Sequence, residues 1–183
     1  MTAEDKISSI LKENNGTITV DMVTSQGLSK TTLYSYVREH SLSRADHGIY
    51  VSEDYWKDDL FILSLRSGKI VFSHETALYL HGLTDREPLQ LTVTTVSGNN
   101  LHNIKQDGVK VYNIKAELFD MGRTAMKTQF GNKVPVYDLE RTICDIVRSR
   151  KGIDPQILQQ ALKQYVQLKN KDLNRLMEYA SQL

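Results

Sequence analysis

Residues 16–52, GTITVDMVTSQGLSKTTLYSYVREHSLSRADHGIYVS, carry helix start and stop signals at the spacing of a helix-turn-helix followed by a tight β-ribbon. Thr19 is placed to cap a short helix bearing Val20, Met22 and Val23, and Gly27 supplies the left-handed residue that ends it. Leu28 fills the turn. Ser29 is a second N-cap, and the helix from Lys30 to His40 sets Leu33 and Val37 four residues apart, so one face packs inward and the other stays free. With the cap Ser29, that free face presents Lys30, Thr31, Thr32, Tyr34, Ser35 and Arg38, short hydrogen-bonding or cationic groups suited to base edges and phosphates in a major groove.

Two strands are expected next, Leu42 to Arg44 and Ile49 to Val51, joined through Ala45, Asp46, His47 and Gly48, where glycine takes the positive φ of the turn. Arg44 and His47 would then sit at the tip of a wing, within reach of a phosphate or a minor groove. The fold class expected is α+β: a winged helix-turn-helix domain over residues 1–52 and a larger domain of mixed sheet and C-terminal helices over 53–183.

Thr2 and Asp5 form a capping pair for a first helix buried through Ile7, Ile10 and Leu11 and ended by Asn14, Asn15 and Gly16. A helix from Asp58 to Arg66 stops at Gly68. Ile70 to Phe72 is a short apolar run, and Ser73 caps a brief helix that Gly82 closes. Leu89, Leu91 and Val93 alternate with Gln90, Thr92 and Thr94, the period of a strand with one wet face, and Val109 to Ile114 alternates likewise. Thr124–Phe130 and Lys133–Tyr137 are expected to pair through a two-residue turn at Gly131 and Asn132. Asp138 caps a helix carrying Leu139, Ile143, Ile146 and Val147. Asp154-Pro155 starts another, lined by Leu158, Ala161, Leu162 and Tyr165, and a last helix is lined by Leu173, Leu176, Met177 and Ala180.

Composition excludes the extremes. Of 183 residues, 40% are hydrophobic and 25% charged, ordinary values for a globular chain, and no apolar run approaches the ~20 residues of a membrane span. The start of the chain lacks the basic and apolar stretches of a secretory signal, so the cytoplasm is the expected location. The single cysteine, Cys144, lies among Ile143, Ile146 and Val147 and reads as a small core residue. The net charge of +1 is unevenly spread, with acidic residues exceeding basic ones over 1–52 and the excess of Lys and Arg confined to 110–183. A DNA reader with only Lys30, Arg38 and Arg44 as cations needs those three clustered, or support from Arg148, Arg150, Lys151, Lys163, Lys169, Lys171 and Arg175.

Signatures of catalysis are lacking: there is no Gly-rich phosphate loop, nucleophile elbow, Cys-x-x-Cys or H-E-x-x-H. No enzyme activity, metal or cofactor is expected. His74 and His81 are assigned surface or capping roles. Asp138, Glu140 and Asp145 near a strand-to-helix junction are the one set with nuclease-like character, set against the ordinary reading of Arg141 and Asp145 as an i, i+4 ion pair and Asp138 as a cap.

With the GIYVS wing end, the SHETALYLHGL segment at 73–83 and the YDLERTICDIVR segment at 137–148, the chain resembles the AbiEi-type antitoxins, regulators in abortive-infection toxin-antitoxin pairs. The resemblance runs nearly the full length. It implies an N-terminal winged helix binding promoter inverted repeats, with Ser29–Arg38 as recognition helix, and a C-terminal domain that counteracts a nucleotidyltransferase-like toxin without a stable complex. It also makes Arg141, Thr142 and Asp145 part of a characteristic C-terminal helix. The expected activity is autorepression, with two copies pairing on DNA. The alternative is a stand-alone regulator whose C-terminal domain binds a small effector.

Overall fold

The computed structural model describes residues 2–183, and the chain is α+β, divided into two compact units. The first unit comprises residues up to Gly68 together with Lys127–Lys133. It therefore extends past residue 52 and takes in the helix that follows.

In the first unit α1 (Ala3–Glu13) opens on a capping box: Asp5 N donates to Thr2 Oγ1 and Thr2 N to the Asp5 carboxylate. Its apolar stripe, Ile7, Ile10 and Leu11, is buried against Ile18, Val23, Leu33 and Leu42. Strand β1 (Thr17–Thr19) leads into α2 (Val20–Ser25), which Thr19 caps through Met22 N, and Gly27 at φ +74 ends the turn after it. Helix α3 (Lys30–Glu39) is capped by Ser29 through Thr32 N. Strands β2 (Ser43–Asp46) and β3 (Ile49–Val51) complete an antiparallel sheet in the order β1-β3-β2. The ribbon is tighter than its sequence suggested: pairing runs on through Asp46, past a register shift after Arg44, so the turn is His47 and Gly48, the latter at φ +71.

Helix α4 (Asp59–Arg66) follows, capped by the buried Asp58. The same carboxylate accepts bonds from Thr128 Oγ1 and, at 2.9 Å, from Asn132 Nδ2. Asn132 Oδ1 in turn accepts from Asn15 Nδ2 at 3.0 Å. This network is why 127–133, distant in sequence, counts with the first unit. It also overturns the expected two-residue turn. The connection spans 128–132, closed by Thr128 N to Asn132 O and Gly131 N to Thr128 O, because Asn132 is a buried hydrogen-bonding residue rather than a turn centre.

The second unit is built on a five-stranded sheet. Its strands are β4 (Val71–Phe72), β5 (Thr92–Val96), β6 (Lys110–Ile114), β7 (Arg123–Lys127) and β8 (Lys133–Tyr137), in the order β6-β5-β4-β8-β7. β4 runs antiparallel to β5 and parallel to β8, and β5 is parallel to β6. The expected wet face of β5 does not exist: the strand starts at Thr92, lies inside the sheet, and buries Thr92 through Thr95. Its threonines are tolerated there because their hydroxyls are satisfied, Thr92 Oγ1 on Ser73 O, Thr94 Oγ1 on Ser73 Oγ at 2.8 Å, and Thr95 Oγ1 on Lys69 O at 2.7 Å.

Three helices build the apolar side of this unit: α5 (His74–Leu80), α8 (Leu139–Arg148) and α9 (Pro155–Gln167), meeting through Leu78, Ile143, Ile146, Ala161 and Tyr165. Short helices α6 (His102–Gln106) and α7 (Ala116–Phe119) fall in the strand connections. The last helix, α10 (Leu173–Gln182), departs from its expected lining: Leu173, Met177 and Ala180 are exposed, as is Val147 of α8, while Leu176 packs against the core. Two apolar faces compete on so short a helix, and only the Leu176 side meets α8, where Cys144 Sγ donates to the Leu176 carbonyl.

Candidate nucleic-acid interface

Helix α3 and the β2–β3 ribbon flank an open groove of about 790 Å³. Lys30 and Tyr34 from α3 and Arg44, His47 and Gly48 from the ribbon line it, and Thr19 to Met22, Ile49, Tyr50, Leu65 and Arg66 form the rest of its walls. The helix presents this side because Leu33 is sealed in the core and Tyr36 and Val37 pack beside it. Lys30, Thr31, Tyr34 and Arg38 are exposed, and Thr32 and Ser35 are half-buried. Ser29 and Thr32 are partly occupied with one another, their hydroxyls 2.8 Å apart. Tyr34 meets Tyr50 edge-on, with ring centroids 6.4 Å apart, which couples the helix to the ribbon.

The ribbon tip is organised before any ligand arrives. Arg44 Nε donates to Asp46 O at 3.2 Å, and Arg44 Nη2 donates to His47 Nδ1 at 3.1 Å. Arginine has donors only, so Nδ1 is the acceptor in this contact. Asp46 closes the tip from below, accepting from His47 N at 2.6 Å and pairing with Arg66 Nε at 2.6 Å. Two groove residues, Arg66 and Tyr50, escaped the sequence reading. The first belongs to α4, past the expected domain end, and the second is an inter-strand residue whose partner, Tyr34, lies sixteen positions earlier.

The other site residues fall in the second unit. Of the basic set, Arg148, Arg150, Lys151, Lys163, Lys169 and Arg175 are exposed and Lys171 is half-buried. Arg150 and Lys171 are turned onto the carbonyls of Val147 and Leu168, and Arg175 faces Asp172 at 3.7 Å. The helix residues Arg141, Thr142 and Asp145 are buried. Arg141 Nε donates to both Asp145 oxygens at 3.1 Å, Nη1 donates at 2.9 Å to the carbonyls of Leu118 and Met121, and the guanidinium lies 4.2 Å from the Tyr137 ring centroid. Gly122, at φ +73, lets the loop pass: a Cβ there would lie 2.7 Å from Arg141 Cβ. These residues bolt the loop after α7 to α8.

The three carboxylates with nuclease-like character are turned to separate partners. Asp138 caps α8 and accepts from Tyr179 Oη at 3.1 Å. Glu140, buried, accepts from Tyr165 Oη and Asp172 N, and Asp145 holds Arg141. Among the described residues, no group of three His, Cys, Asp or Glu side chains is placed to hold a metal ion.

The histidines correct the sequence reading. His74 is buried, both ring nitrogens bonded to hydroxyls, Ser73 Oγ at 2.9 Å and Ser149 Oγ at 3.0 Å, and its ring is stacked on Tyr112 with centroids 3.5 Å apart. Burial, then the charges of Lys110, Arg141 and Arg148, push its pKa down to about 3. His81 is half-buried, donating from Nε2 to the Tyr137 carbonyl, and burial lowers its pKa. Helical spacing alone could not reveal this, because the burial comes from strands and helices remote in sequence.

No protein-family model matches the chain, and no curated protein does. Among solved structures it is similar to the crystal structure of the RV2827C protein from Mycobacterium tuberculosis, with a TM-score of 0.61 and 15% identity, over 99% of this chain and 72% of that one. At that identity the likeness is one of fold. No helix among the described residues is long and apolar enough to cross a membrane.

Proposed function

We propose that the first unit is a winged-helix reader of duplex DNA, and that the chain is the antitoxin and autorepressor of a toxin-antitoxin operon, acting in the cytoplasm. The observation that carries the first part is the shared groove: Lys30 and Tyr34 on α3 and Arg44 and His47 on the ribbon line one open surface. A helix–strand–helix–helix–strand–strand order supports it, with α3 as the helix that enters a major groove and the ribbon as the wing. Base edges would be read by Thr31, Tyr34 and Ser35, phosphates held by Lys30, Arg38 and Arg44, and a phosphate oxygen would accept from His47 Nε2. With so few cations, one module holds DNA weakly, so two copies on one inverted repeat give useful affinity. The exposed lysines and arginines of the second unit are a further phosphate-binding set.

The antitoxin part rests on the resemblance of the 73–83 and 137–148 segments to AbiEi-type proteins. In this reading the second unit opposes a nucleotidyltransferase-like toxin without forming a stable complex. Two assays test the two parts. A gel shift with the chain's own upstream DNA should show a retarded band that disappears when the inverted repeat is scrambled; equal retardation of both sequences would refute specific reading. Growth arrest by a co-expressed toxin from the adjacent gene should be relieved by residues 69–183, and persistent arrest even with the full chain would refute the antitoxin role.

A further inference from the structure

Helix α4 follows the ribbon in sequence and backs it in space. Ile62 and Leu65 pack with Ala45, Ile49 and Val51 in a small apolar cluster apart from the core that α1, α2 and α3 share. The next residue, Arg66, reaches the ribbon tip. Its Nε lies 2.6 Å from Asp46 Oδ2, and the two side chains are only 23% and 27% exposed. A pair so shielded is screened by salt far less than one on the open surface.

Asp46 is where the bonds of the tip meet. Its Oδ1 accepts from His47 N, its carbonyl accepts from Arg44 Nε, and Arg44 Nη2 donates to His47 Nδ1. The pairing of β2 with β3 shifts register between Arg44 and Asp46, which leaves Ala45 as an extra residue. A bulge bends its strand and re-aims the side chains beside it. Here it stands between Asp46, bonded to α4, and Arg44, which lines the groove.

We propose that Arg66 is a positioning residue of the DNA reader: through Asp46 it holds Arg44 and His47 in the orientation in which the ribbon meets DNA, and α4 is the buttress of that ribbon. The inference rests on the DNA-reading proposal above. A ribbon of two short strands is soft by itself, and side chains ordered in advance carry no further ordering cost when the partner arrives. A reader with few cations depends on that advance ordering. The rival role for Arg66, a plain phosphate contact, makes the opposite demand on Asp46. A carboxylate beside DNA would then only repel it, and its removal would strengthen binding.

The test compares full-length wild type with Asp46→Ala, Arg66→Met and the double variant by fluorescence anisotropy on the labelled upstream duplex. Asp46→Ala should weaken binding roughly tenfold even though it removes a negative charge, because two side chains must then be ordered on the DNA. Arg66→Met should weaken it by a similar factor, and the double variant no more than either alone, since the two residues act as a unit. Arg66→Lys restores a cation opposite Asp46 and should recover most of the affinity. At saturating protein, hydroxyl-radical footprints of Arg66→Met should lose the protection that Arg44→Ala also removes and keep the rest. In the absence of DNA, amide hydrogen exchange across 46–48 should be faster in Arg66→Met than in the wild type and unchanged along α3. Binding by Asp46→Ala as tight as the wild type or tighter overturns the inference, as do additive losses in the double variant or unchanged exchange across 46–48. A wild type that fails to distinguish its upstream duplex from a scrambled one refutes the DNA-reading proposal instead, and the exchange measurement, made without DNA, keeps the two failures apart.

Discussion

His74 is neutral across the physiological range, and its burial has a consequence for stability. In the unfolded chain the ring takes a proton below about pH 6.5, whereas in the fold burial and the cations Lys110, Arg141 and Arg148 hold the pKa at about 3. Below about pH 6.5 the unfolded state therefore binds the proton that the folded state refuses, and stability falls as pH drops toward 3, by at most ~1.4 kcal/mol per pH unit. Burial also raises Asp138 and Asp145. Their sign is opposite, since a raised carboxyl gains stability as pH falls. Urea denaturation of the wild type against His74→Asn isolates the histidine, because both proteins share the carboxylates and asparagine tolerates the left-handed backbone. The wild type should lose stability relative to the variant between about pH 6.5 and 4; parallel pH profiles would contradict a buried neutral ring. Asp58 gives a second residue-scale prediction. Asp58→Ala removes the cap of α4 and leaves Thr128 and Asn132 without their acceptor, so it should cost about 2–4 kcal/mol in urea unfolding.

Among the elements, α3 depends on a single capping side chain. Ser29→Ala should destabilise the first unit by about 0.5–2 kcal/mol, measured by thermal melting, with no change expected in the second unit. How legible each element was follows from where its determinants lie. The caps at Thr2, Thr19, Ser29, Asp138 and Asp154 were readable, because a cap is a local bond between a side chain and an amide within three residues. The α1 stripe and the β3 and β8 spans were readable for the same reason. What depended on remote partners was not: β5 has the alternation of a half-wet strand, yet its threonine hydroxyls are absorbed by Ser73 and Lys69. The groove followed this division. Lys30, Tyr34, Arg44 and His47 were legible as a free helix face and a ribbon tip, while the Tyr34–Tyr50 contact and the Asp46–Arg66 pair needed the fold. Arg141 was legible as the i, i+4 ion-pair partner of Asp145, while its bonds to the Leu118 and Met121 carbonyls needed the fold.

At the scale of the molecule, the first unit is not a continuous stretch of chain, since 127–133 completes it. A fragment ending at residue 52 lacks α4, and one ending at Gly68 lacks both remote partners of buried Asp58. Either should melt well below the first unit of the full chain in circular dichroism, and a 1–52 fragment with an intact cooperative transition would show that the later residues are dispensable. The proposed grip of α3 and the ribbon on duplex DNA rests on the groove they share. It is tested most directly by fluorescence anisotropy of the labelled upstream duplex across a series of salt concentrations, comparing the wild type with Lys30→Ala, Arg38→Ala and Arg44→Ala. Each lost phosphate contact should weaken binding to every sequence and lower the slope of log K against log salt by about one. Affinities and salt slopes identical to the wild type in all three variants would contradict it.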